Sequence, residues 1–213
     1  MMNKAIYYVK KYLKKYLNKV GIQIWDYPLM VPRMFFAEYF FFKEFLSKHS
    51  EALYLESGSG GSTVLADQLS QPYYSYETDL DYVQYLNKIL KKQNVRHIEV
   101  GKTVKFGFPK KETASNAQRI YSALLKHFPI VNFPYVVVFI DGRCRVSTAL
   151  ALAPHLSKKD YVLIHDFERP HYQEVLKVYW LEKKIGRLVL LKIKENYSSS
   201  IEELKTKYKL DFR

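Results

Sequence analysis

Three groups of residues in this chain have types and spacing that could do chemistry. The first lies in Leu53-Tyr-Leu-Glu-Ser-Gly-Ser-Gly-Gly-Ser-Thr63, an apolar run that ends in the carboxylate of Glu56 and continues into a glycine-rich turn. Glycine takes positive φ freely and adds no side chain, so backbone at Gly58 and Gly60 can pass directly beneath a ligand. Ser59 lies within that turn, and Ser62 and Thr63 open the helix that follows, whose first N–H groups face the same ligand. The second is Glu77, 19 residues beyond Gly58. The third is the set Asp141, His165 and Asp166, two carboxylates and an imidazole. An imidazole titrates near neutrality and suits proton transfer, while paired carboxylates suit a hard cation such as Mg²⁺ or Mn²⁺.

The glycine turn restricts the ligand. A dinucleotide site would carry G-x-G-x-x-G, but Thr63 stands where the third glycine belongs. A P-loop would end in Gly-Lys-Ser/Thr, and the turn holds no lysine. No basic residue is there to meet a pyrophosphate. An acid, Glu56, precedes the glycines instead, which suits a ligand with a cationic or amine group. Glu77 has the spacing of a carboxylate that accepts from both hydroxyls of a ribose. Together they indicate an adenosine-type ligand that needs no phosphate.

These residues must be positioned by an alternation of strands and helices. Strands are expected at Ala52–Glu56, Tyr73–Glu77, His97–Val100, Tyr135–Ile140, Tyr161–His165 and Leu188–Ile193. Helices are expected over 62–69, 80–92, 115–127, 146–155 and 172–184, with a short helix and a last strand in the final twenty residues. The run Tyr135–Ile140 is wholly apolar, as a strand buried on both faces would be. The pattern predicts an α/β, Rossmann-like, doubly wound fold with a mainly parallel seven-stranded sheet and helices on both faces. In such sheets ligands bind beyond the carboxyl ends of strands, where Glu56, Glu77, Asp141, His165 and Asp166 all fall. Before the first strand, residues 3–20 have helical periodicity, 22–32 are broken by Pro28 and Pro32, and Arg33–His49 reads as an aromatic-rich helix. Residues 1–49 are therefore expected as an N-terminal helical extension or lid packed on the core, and 50–213 as the ligand-binding domain.

Glu56-x-Gly58-x-Gly60-Gly61 followed by Glu77 resembles the cofactor site of class I S-adenosylmethionine-dependent methyltransferases, over roughly residues 50–195. The resemblance implies S-adenosylmethionine as cofactor. Glu56, Gly58, Ser59, Gly60, Ser62 and Thr63 would lie beneath its methionine part, Glu77 would hold its ribose, and Asp141 would border it. Many members place an acid or polar pair after strand three. Here Val100 is followed by Gly101-Lys102-Thr103, so adenine contacts would fall to Thr103 or to backbone.

Methyl transfer to a hydroxyl benefits from a base, and His165 is the candidate; the other reading has it hydrogen-bonding a neighbouring loop. Asp141 and Asp166 would either bind a divalent cation or orient the cofactor and His165. Related metal-dependent enzymes carry a further acid or asparagine beside the second aspartate, where this chain has His165 and Phe167. Asp141-Gly-Arg-Cys-Arg145 and His165-Asp-Phe-Glu-Arg-Pro170 resemble segments of bacterial and viral glycan methyltransferases. Arg143, Arg145 and Arg169 would then contact an acidic substrate, or form ion pairs, for Arg143 and Arg145 with Glu168 and Glu77. Trp25, Asp26 and Tyr27, with the 101–113 loop, would contact a saccharide or glycoconjugate acceptor, or serve as lid packing. The resemblance implies O-methylation of a sugar hydroxyl.

The net charge of +13 invites an RNA methyltransferase as the alternative, or a non-catalytic module docked on a membrane through residues 3–20. Six lysines and no acid fall within residues 1–20, however, which leaves +7 on the rest. No Asn/Asp-Pro-Pro-Tyr/Phe motif and no cysteine pair supports base methylation, so nucleic acid is the lesser reading. One cysteine cannot make an internal disulfide, and no apolar run reaches the ~18–20 residues of a membrane span. With no signal peptide evident, the expected location is the cytoplasm, the host's if the source is a virus. The oligomeric state is left open.

Overall fold

The computed structural model describes residues 32–104 and 107–212. The expected helix at 3–20 and the candidate acceptor residues Trp25, Asp26 and Tyr27 lie outside them. In chain order come α1 (Phe36–Lys48), β1 (Leu53–Ser57), α2 (Gly61–Gln68), β2 (Tyr73–Glu77), α3 (Leu80–Ile89), β3 (Val95–His97), β4 (Thr103–Val104), β5 (Phe108–Pro109) and α4 (Ala114–Leu125). Then follow β6 (Val136–Ile140), α5 (Arg145–Leu152), β7 (Tyr161–Ile164), β8 (Tyr179–Ile185), β9 (Leu188–Ile193) and α6 (Ser198–Lys207). Short 3₁₀ segments occupy Ala153–His155 and Pro170–Lys177. Among these helices none is long and apolar enough to cross a membrane.

Seven strands form one sheet in the order β3-β2-β1-β6-β7-β9-β8. Pairing is parallel from β3 to β7, and β9 is antiparallel to both β7 and β8. Alternate strand residues feed two cores, as the pleat requires. Leu53, Leu55, Val136, Val138, Val162 and Ile164 pack under α4, α5 and α6. Tyr54, Val137, Phe139, Leu163 and Leu190 face α1 and α2. Every residue of β6 is buried, as its apolar sequence demands. The expected Rossmann-like, doubly wound architecture is the one found.

Phe42 and Leu46 of α1 are fully buried, and the Phe42 ring lies 4.8 Å from that of Phe139 at the centre of the sheet. Helix α1 thus packs on the core through this face.

Three elements differ from expectation. The segment 172–184, expected as a helix, is a 3₁₀ stretch followed by β8, and the seventh strand comes from here and not from the C-terminus. Leu, Glu and Lys favour helix locally, but Gly186 at φ +58° turns the chain into a hairpin, and pairing with β9 decides the outcome. The third strand is Val95–His97, set by its register with Ser75–Glu77. The 101–113 loop contains the β4–β5 hairpin.

Candidate active site

The glycine turn is held from below by Glu56. Its side chain is completely buried and accepts hydrogen bonds from Tyr54 Oη (3.0 Å), Ser75 Oγ (2.6 Å), Ser62 Oγ and Thr63 Oγ1. Burial raises the Glu56 carboxyl to about 7, against the opposing pull of those hydroxyls. Ser59 Oγ turns inward as well, 2.6 Å from Ser75 Oγ. The carboxylate and the turn's hydroxyls thus anchor the loop and do not reach toward an amine, as the sequence suggested for Glu56. What Ser59, Ser62 and Thr63 keep for a ligand is backbone.

The glycines divide by role. Gly58 has φ +93°, and a Cβ there would stand 2.4 Å from Gly142 N. Its missing side chain is required by the neighbouring loop, not by a ligand. At Gly60 a Cβ would meet only Tyr82 Oη, at 3.7 Å. Among the described residues, Gly60 therefore leaves room above the turn.

Glu77 ends β2 beside this space. Thr78 N (2.6 Å) and Asp79 N (3.1 Å) donate to Oε1, with Thr78 Oγ1 3.1 Å from the same oxygen, and none of these contacts uses Oε2. Burial raises its pKa against these backbone donors. The β4–β5 hairpin folds over it. Thr78 Oγ1 donates to Gly107 O at 2.7 Å, and the Arg143 guanidinium lies 3.9 Å above the Phe108 ring. Thr103 enters the hairpin paired with Pro109.

Asp141, His165 and Asp166 do meet, at the ends of adjacent parallel strands β6 and β7. Their partners are not those expected. Arg145 Nη2 is 3.0 Å from Asp141 Oδ1, and Nη1 is 3.2 Å from Asp166 Oδ2. Nη1 also donates to His165 O at 2.5 Å, and Nε to Gly142 O at 3.1 Å. With a side chain only 5% exposed, Arg145 holds the cluster together and is not available to a substrate or to Glu77 or Glu168. Arg169 Nη2 and Arg187 Nη1 each lie 3.0 Å from Asp166. Arg169 is thus also engaged, though it stays partly exposed. Two non-glycine residues at positive φ, Cys144 (+57°) and Asp166 (+56°), border the cluster, a strain that tends to gather at functional sites.

His165 is buried between carboxylates on both ring nitrogens. Nδ1 lies 3.3 Å from Asp141 Oδ1 and 3.7 Å from Asp166 Oδ1, and Nε2 lies 3.4 Å from Glu38 Oε2. Burial would lower its pKa, but these three carboxylates outweigh burial and raise it. Both ring nitrogens of His165, the base expected from sequence, thus already face carboxylates. Asp141 is the most accessible member, its side chain 31% accessible against 15% for Asp166. Burial opposes its charge, but Arg145 and His165 together hold its carboxyl below the usual range, so it remains an anion.

Glu38 escaped the sequence reading. It is wholly buried on α1 and also accepts from Phe35 N (2.7 Å) and Arg187 N (2.6 Å). A signal existed: Glu38 falls on the stripe of Phe42, Phe45 and Leu46, where an acid interrupts an apolar face.

No protein-family model matches the sequence, and neither does any curated protein. Among solved structures, a methyltransferase-like protein from Silicibacter pomeroyi DSS-3 is 25% identical, with a TM-score of 0.70 over 86% of this chain and 100% of that one. The MycE methyltransferase of the mycinamycin biosynthetic pathway, solved with Mg and SAH, is 15% identical over 73% of this chain and 46% of that one. Its TM-score of 0.40 is too slight to bear on this chain's chemistry. The fold is that of the class I S-adenosylmethionine-dependent methyltransferases.

Proposed function

We propose that this protein is an S-adenosylmethionine-dependent O-methyltransferase whose acceptor is a sugar hydroxyl of a glycan or glycoconjugate. The observation that carries the cofactor is Glu77, with two backbone donors on one carboxylate oxygen and the other left to a ribose. The room that the described residues leave at Gly60 and the anion of Asp141 beside the turn fit the rest of a cationic ligand. The likeness to a methyltransferase-like protein over its whole length supports the same reading.

S-adenosylmethionine, when bound, supplies an electrophilic methyl group on a sulfonium. The protein then has to exclude water, hold the acceptor oxygen in line and offer a negative group to its proton. Asp141 is the most accessible member of the cluster and is held ionised, so it takes the hydrogen bond of the acceptor hydroxyl. His165, Arg145 and Asp166 hold Asp141 in place. Cys144, the single cysteine, is buried and its thiol is pushed up by burial, which disfavours covalent catalysis through a thiolate.

Calorimetry with S-adenosylmethionine, followed by a screen of glycan and RNA acceptors with labelled cofactor, tests the proposal. Binding and label transfer to a saccharide are expected. No heat of binding would defeat the cofactor assignment, and label on RNA alone would replace the acceptor.

A further inference from the structure

Asp141, His165 and Asp166 offer one ligand atom each, all within 4.8 Å of one another. That constellation could hold a divalent cation, but a cation of the chain's own already stands there. Arg145 bridges the two aspartates through separate nitrogens and is fixed by the carbonyls of Gly142 and His165 as well. A planar guanidinium suits this bridging because its donors are set in a rigid fork. Asp166 carries two further guanidinium groups, so both of its oxygens already meet cations. Both ring nitrogens of His165 already face carboxylates, Nδ1 that of Asp141 at 3.3 Å and Nε2 that of Glu38 at 3.4 Å. A dication would have to displace Arg145 from a pocket the arginine fills and enter a cluster whose charges are already balanced.

We propose that Arg145 takes the place of a divalent cation in this site. The Asp141–His165–Asp166 set is then a metal site held closed by its guanidinium, and methyl transfer runs without metal. Arg145 is a positioning residue: it fixes Asp141 for the acceptor and does not itself touch substrate. The inference rests on the methyl-transfer reading for its functional meaning, but the closed metal site can be tested apart from it.

The experiment is a Mn²⁺ titration of the full chain followed by the electron paramagnetic resonance of the free ion, run on wild type, Arg145→Ala and Arg145→Met. The methionine keeps much of the stem's packing. Wild type should leave the free-ion signal undiminished, and the folded variants should deplete it. Depletion by wild type that disappears in Asp166→Asn would overturn the proposal, as would folded Arg145 variants that bind no Mn²⁺. Should neither variant fold, the wild-type titration still decides. Calorimetry with S-adenosylmethionine on the same wild-type sample separates the two readings. Cofactor binding together with Mn²⁺ binding sinks only this inference; absence of cofactor binding sinks the methyl-transfer reading and leaves the Mn²⁺ comparison intact.

Discussion

Gly58 and Gly142 interlock: a Cβ on Gly58 would stand 2.4 Å from Gly142 N, and one on Gly142 would stand 2.8 Å from Gly58 N. The turn after β1 and the turn after β6 are thereby pressed together, backbone on backbone. Asp141 is carried into contact with the cofactor turn by this fit, and its own N–H donates to Ser57 O at 2.9 Å. The turn after β1 and the turn after β6 are thus a single mechanical unit.

Gly58→Ala should therefore be mainly a folding lesion. It combines positive φ with a collision against backbone that cannot rotate away, worth roughly 2–4 kcal/mol. Gly60→Ala meets only Tyr82 Oη at 3.7 Å and should leave stability nearly unchanged while weakening cofactor binding. Urea unfolding of both variants checks this. A Gly58→Ala protein as stable as wild type would show that the interlock is not real.

Much of this arrangement was legible in the sequence. The apolar run ending at Ile140 and the glycine turn announced the central strand β6 and the turn between β1 and α2, because local pattern alone decides them. The strand Tyr179–Ile185 was not legible: its residues favour helix, and most of them are exposed with no alternation to betray a strand. Only partners on β9 make it one. Glu38 was hidden for a similar reason. Its contacts lie 127 residues away at His165 and 149 away at Arg187, and a lone acid in a helix looks solvated until the fold closes over it. Arg145 could be seen as an ion-pairing residue, but its partners depend on which strand ends become neighbours.

The buried carboxyl of Glu56 should make stability pH-dependent. Its folded pKa, about 7, lies above the ordinary value of 4.5, so the folded protein holds a proton that the unfolded chain releases. Stability from this group is fully present below the ordinary value and is lost as pH rises to about 7, by up to roughly 3 kcal/mol. The raised pKa of His165 acts in the same direction, so the informative quantity is the difference from Glu56→Gln. That variant should flatten the slope between pH 4.5 and 7 in chemical unfolding. An unchanged slope would mean Glu56 is ionised throughout.

Glu38 should set the charge of His165 from a helix that holds no other part of the cluster. Removing its negative charge in Glu38→Gln takes one of three carboxylates away from the imidazole and should lower the His165 pKa. Glu38→Ala should cost more, about 3 kcal/mol, because it also strands the Arg187 N–H and loosens α1 from the β8–β9 hairpin. Imidazole titration by NMR in the glutamine variant is the check. A His165 curve identical to wild type would show that Glu38 acts only as a structural anchor.

Glu77 gives the most direct test of the ribose assignment. Glu77→Gln keeps an acceptor at Oε1 for Thr78 and Asp79, so the turn after β2 should survive. At the other end of the side chain, however, an NH₂ group replaces the oxygen left to the ligand, and an acceptor becomes a donor. Hydrogen bonds to a charged group are worth about 1.5–3 kcal/mol, so affinity for S-adenosylmethionine should fall by roughly 10- to 150-fold with little change in unfolding midpoint. A 2′-deoxy analogue should bind wild type more weakly than the parent cofactor, yet lose little further in the variant, because both changes remove the same bond. Fully additive losses would place the ribose somewhere other than Glu77.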